Sequence, residues 1–72
     1  MRVKYKKGWI VVRDEELNKW FRENVSLPER THVSSVTDQK VVFVCTDLRG
    51  SSIYKEVPRD KTTFQQQQTL LE

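Results

Sequence analysis

The stretch RVKYKKGWIVVR, residues 2–13, decides the fold. It carries five cations before the first acid of the chain, Asp14, and threads them through valines, an isoleucine, a tyrosine and a tryptophan. Gly8 can adopt the positive φ that a two-residue hairpin turn requires, so the stretch divides at Lys7-Gly8 into two strands. Pairing across that turn sets Lys6 opposite Trp9, Tyr5 opposite Ile10, Lys4 opposite Val11 and Val3 opposite Val12. Val3, Tyr5, Ile10 and Val12 then share a core face, while Arg2, Lys4, Lys6, Trp9, Val11 and Arg13 share the other. As one uninterrupted strand, the same residues would align Val3, Tyr5, Trp9 and Val11 and send Trp9 into the core. The pattern alone leaves both arrangements open.

Next comes DEELNKWFREN, residues 14–24, which has the marks of a helix. Asp14, Glu15 and Glu16 suit the positive end of the helix dipole, and Leu17, Trp20 and Phe21 recur at i, i+3 and i+4. Glu15 with Lys19 and Lys19 with Glu23 are spaced for ion pairs on the outer face. Asn24 suits a left-handed stop, and Pro28 ends any continuation.

Three strands are expected beyond it. KVVFVCT, residues 40–46, alternates Val41, Phe43 and Cys45 against Val42 and Val44, the pattern of a central strand. THVSSVT, residues 31–37, pairs with it through a turn at Asp38 and Gln39. SIYKEV, residues 52–57, follows a loop in which Gly50 suits the left-handed position, and Pro58 closes it. In the remaining RDKTTFQQQQTLLE, Asp60 as N-cap and Phe64 with Leu71 seven residues on allow a short C-terminal helix. Residues 65–72 are expected to form a flexible tail or a frayed helix, and the final Leu-Glu to carry no function.

These elements predict an α+β fold in one domain spanning residues 1–72: an N-terminal β-hairpin and one central helix packed on a mostly antiparallel sheet of four to five strands. A β-grasp arrangement has this order, although no residue motif of a ubiquitin-like family is present. A chain of 72 residues buries only about 60% of the surface its unfolded form exposes, so the core is small. At 36% hydrophobic and 32% charged the composition is too apolar for a disordered segment, and ten valines with no alanine favour strand over helix.

The functional inventory is narrow. One cysteine, Cys45, excludes an internal disulfide, and one Cys with one His falls short of the ligands of a zinc site, so neither metal nor cofactor is expected. There is no apolar run long enough to span a membrane and no signal-peptide pattern, so the expected compartment is the cytoplasm. His32 and Cys45 would form a thiolate-imidazole pair only if their strands were adjacent; Cys45 otherwise packs as a small hydrophobe. With no other catalytic constellation, the chain is expected not to be an enzyme.

The net charge is +3, and its distribution points to the N-terminal ribbon. Arg2, Lys4, Lys6, Lys7 and Arg13 are placed to contact phosphates, and Trp9 to stack on a base or sugar, with Arg49 and Arg59 extending the surface if their turns share one end of the sheet. A bland alternative is that these cations only keep an edge ribbon from pairing with other chains. The expected role is therefore regulatory binding of DNA or RNA. The competing expectation is a protein-interaction module or small inhibitor, docking on an acidic partner surface by a sheet edge or by Trp20 on the helix, as a monomer or a homodimer.

Overall fold

In the computed structural model, which describes residues 1–66, two strands open the chain: β1 (Arg2–Tyr5) and β2 (Gly8–Val12). Helix α1 (Glu15–Asn24) and a single 3-10 turn at Pro28–Arg30 follow. Next come β3 (His32–Val36), β4 (Lys40–Thr46) and β5 (Ser52–Pro58), and a second 3-10 turn at Arg59–Lys61 leads into β6 (Thr62–Gln66). The fold is α+β and mostly sheet, in the expected order of hairpin, helix and strands.

The strands do not form the single sheet of a β-grasp. They divide into two three-stranded sheets, β1-β2-β6 and β3-β4-β5, and every pairing is antiparallel. The division is made after Pro58, where the 3-10 turn redirects the chain. There Arg59 N–H donates to the Gln39 carbonyl (2.9 Å) while the Lys61 carbonyl accepts from Arg13 N–H (2.8 Å), tying both sheets to one corner. The chain then joins β2 as a strand, so the C-terminal helix expected from Asp60 onward does not form over 62–66. Gln65 and Gln66, expected in a tail, end β6, and the rest of that tail, residues 67–72, lies outside the described residues.

One hydrophobic core lies between the sheets and the helix. Val3, Ile10 and Val12 come from the first sheet, Phe21 and Val25 from the helix segment, and Val41, Phe43, Cys45 and Val57 from the second sheet. Phe43 is wholly buried and meets Phe21 edge to face, with ring centroids 5.6 Å apart, a geometry worth roughly 0.5–1.5 kcal/mol beyond the area buried. The expected alternation in β4 holds, with Val41, Phe43 and Cys45 inward, and β4 is central in its sheet.

The helix begins as its acids imply: Asp14 caps it, its carboxylate accepting from the N–H groups of Glu16 (2.8 Å) and Leu17 (3.2 Å). Its end differs from expectation. Asn24 is not left-handed; its side chain donates to the Trp20 carbonyl, and Val25 turns extended to bridge Asp47. Among the described residues the outer-face ion pair of the helix joins Glu15 to Arg22 (3.0 Å), two turns on, rather than to Lys19. Gly50 has the positive φ expected of it.

Candidate nucleic-acid interface

The hairpin in residues 2–13 forms, which excludes the single uninterrupted strand, but it turns one residue earlier than expected. Lys6 and Lys7 make the turn, with Lys6 at φ 55°, and the register is Arg2 with Val11, Val3 with Ile10, Lys4 with Trp9 and Tyr5 with Gly8. Gly8 is needed elsewhere: a Cβ there would run into the backbone carbonyl of Gln65 on β6. Its lack of a side chain therefore serves the close approach of two strands, and a lysine takes the left-handed position that glycine would fill more cheaply.

Because the turn moved by one residue, each strand slipped by two relative to its partner, and side-chain parity survived. Val3, Ile10 and Val12 are buried, and Tyr5 packs beside them. On the outer face Lys4 now lies directly across from Trp9, with Arg2 on the diagonal. The Arg2 guanidinium carbon is 4.5 Å from the centroid of the Trp9 ring and the Lys4 ammonium 5.8 Å. Trp9 is half-buried, so it is a surface platform and not a core residue. On its far side the face continues onto β6, where Gln65 pairs with Trp9 and Thr63 with Val11.

The other expected cations scatter. Lys6 and Lys7 are exposed at the tip, with the Lys6 ammonium 5.2 Å from the Tyr5 ring. Arg13 lies past the opposite end of β2, where its guanidinium donates to the Asp60 carbonyl (2.5 Å). Arg59 is near that corner, donating to the Thr37 carbonyl (3.3 Å). Arg49 sits in the β4–β5 loop, at the far end of the long β4–β5 hairpin from Arg59. The two turns do not share one end of the sheet, so Arg49 and Arg59 do not jointly extend one surface. What the fold brings together at the Trp9 ring is Arg2 and Lys4, with Lys6 and Lys7 at the tip of the same hairpin.

The remaining candidates resolve as follows. His32 pairs with Val44, so it is on the outer face of the second sheet, exposed at a strand start, whereas Cys45 points into the core. The two strands are adjacent, yet these two side chains are on opposite faces and form no pair. Burial pushes the Cys45 thiol up from its ordinary pKa. Trp20 packs against the core and meets Phe21 edge to face (5.3 Å), and Lys55 places its ammonium 4.4 Å from the Trp20 ring. Beside Trp20 is an open cleft of about 320 Å3 lined also by Asn24, Asp47, Leu48, Arg49 and Ile53. Leu48 at its rim is 66% exposed, a feature the sequence did not signal. Among the described residues no group of three or more His, Cys, Asp or Glu is arranged to hold a metal, and no helix is long and apolar enough to cross a membrane. No protein family, no curated protein and no solved structure matches the chain.

Proposed function

We propose that this chain is a small, non-enzymatic, cytoplasmic protein that binds single-stranded nucleic acid on the outer face of its N-terminal sheet, in a regulatory role. The observation that carries the proposal is Trp9, half-buried on that face and flanked by Arg2 and Lys4. Binding single strands without strong sequence preference requires aromatic faces for bases and cations for phosphates. A base competes favourably for the ring: stacking is worth about 1–3 kcal/mol per base, against about 0.5–1 kcal/mol for an exposed cation over an aromatic. Arg2 then swings from the ring to a phosphate at little cost.

A single strand fits better than a duplex. A major groove about 12 Å wide admits a free two-stranded ribbon, but the far edge of β2 is occupied by β6. With its third strand and the core beneath, the hairpin is too broad to enter the groove. Phosphate contacts come from Arg2, Lys4, Lys6 and Lys7; Arg13 is held at the opposite end of its strand. Fluorescence anisotropy of labelled single-stranded and duplex oligonucleotides tests this, the single strand being the tighter ligand.

The second reading, a protein-interaction module, is favoured by the cleft beside Trp20 and the exposed Leu48. It places the interface at the helix and the β4–β5 loop, with Trp20 as the anchor. In that case Leu48→Ser weakens partner capture and Trp9→Ala does not.

A further inference from the structure

The described strands leave four outer edges, and three are defended against pairing. β1 carries Arg2 and Lys4 and runs beside β3; β3 has a bulge between Val33 and Ser35; β5 carries Lys55, Glu56 and Pro58. Charges, proline, bulges and cover are the usual devices by which an edge is kept from adding another strand. β6, Thr-Thr-Phe-Gln-Gln, has none of these among the described residues.

Hydrogen-bond directions show which groups this edge offers. Val12 N–H donates to the Met1 carbonyl and Arg13 N–H to the Lys61 carbonyl. Directions alternate along a strand, so Trp9 and Val11 bond to β6, and on β6 it is Thr63 and Gln65 that bond back. The N–H and C=O groups of Phe64 and Gln66 therefore point away from β2, and among the described residues they have no backbone partner. Phe64, across from buried Ile10, lies on the core-side face yet remains 45% exposed.

We propose that β6 pairs antiparallel with β6 of a second copy of this chain, about a two-fold axis at Phe64. In that register the two Phe64 residues exchange N–H···O=C bonds, each Gln66 N–H meets the other copy's Thr62 carbonyl, and each Phe64 ring covers the other on the core side. A second copy fits because β6 is uncharged: two +3 chains meet there without opposing cations, whereas self-pairing at β1 would face Arg2 and Lys4 with their like. The result is a closed dimer with one continuous six-stranded sheet. Its two Trp9 faces lie on the same side, three strand spacings or about 14 Å apart. A pairing this short buries less than a standard stable interface, so the dimer dissociates on dilution.

Sedimentation equilibrium on nucleic-acid-free protein tests this independently of the binding proposal. The weight-average mass is expected to rise from 8.6 kDa toward twice that value between roughly 10 μM and 1 mM protein, the range suited to a weak interface. Phe64→Pro removes the outward-facing N–H together with the ring that would meet its copy, leaving the N–H groups bonded to β2 in place, and Phe64→Lys sets like charges across the axis; each holds the protein monomeric with an unchanged circular dichroism spectrum. If Phe64→Pro loses its fold, Phe64→Lys supplies the result. A wild-type chain monomeric throughout, a dimer that persists in the folded variants, or growth beyond a dimer would overturn the proposal.

Discussion

The Arg2 guanidinium and the Trp9 indole are in cation-π contact across β1 and β2, 4.5 Å apart, on the face turned away from the core. Neither contributes to the buried cluster. Trp9→Ala is therefore expected to lower affinity for a single-stranded oligonucleotide about tenfold to a hundredfold, the worth of one stacked base, while leaving the thermal melt nearly in place. Trp9→Phe keeps a smaller platform and recovers part of the affinity. Anisotropy titrations of the three proteins at one salt concentration check this.

Phosphate contacts release counterions, so each cation in contact adds about 0.7 to the magnitude of the log-log salt slope on single strands. Four contacts predict a slope of about −3. Lys4→Gln combined with Lys7→Gln flattens it to about −1.5. Arg49→Gln, at the remote end of the second sheet, leaves the slope as it was.

Lys6 occupies the left-handed region at φ 55°, where a side chain costs about 1–2 kcal/mol and glycine very little. Lys6→Gly is expected to raise unfolding free energy by roughly 1 kcal/mol, less whatever glycine returns through a more flexible unfolded chain. It also removes a tip cation, so oligonucleotide affinity falls as stability rises. A denaturant melt beside a titration resolves these opposite movements, and a variant that loses stability would show that the turn is not strained.

The helix cap carries a pH dependence. The Lys61 ammonium, 2.9 Å from Asp14, and the capped N–H groups hold the Asp14 carboxyl below its ordinary 3.8, and Asp14 in turn holds Lys61 above its ordinary 10.5. A depressed carboxyl pKa stabilises the fold above the unfolded value, and that contribution is lost as pH falls through the folded one. A raised lysine pKa stabilises below its unfolded value and is lost as pH rises through the folded one. Asp14→Asn keeps a capping oxygen but no charge. The difference in melting temperature between wild type and this variant is expected to be largest from about pH 5 to pH 9 and to shrink toward both extremes. A constant difference from pH 2 to pH 12 would contradict it.

The faces of the hairpin were legible in residues 2–13 because side-chain parity depends only on alternation, which a turn displaced by one residue preserves. The turn itself was not. A glycine beside lysines reads as the turn residue, and nothing local reveals that Gly8 is required by the approach of Gln65 from the other end of the chain. β6 was hidden for a related reason. Only Thr62 in it is buried, so it shows no apolar alternation, and its strand character comes from β2. β4, by contrast, announced its place through Val41, Phe43 and Cys45, since a central strand carries its whole pattern in its own side chains.

The candidate site was legible as a composition and not as a constellation. Cations and tryptophan pointed to the ribbon, but only the register selected Arg2 and Lys4 as the partners of Trp9 and withdrew Arg13 to the Asp60 carbonyl. Arg49 and Arg59 flank the strand expected at residues 52–57, so their placement at opposite ends of β5 was already implied by that strand.

The most direct test of the central claim is a salt series of anisotropy titrations with a labelled single strand and its duplex, run on the wild-type chain and on Trp9→Ala. The account predicts micromolar or tighter binding to the single strand at physiological salt, a slope near −3, preference over the duplex, and loss of most of that affinity in the variant. Binding that disappears at modest salt, or that is the same for both nucleic acids and for both proteins, would contradict it and turn attention to the cleft beside Trp20.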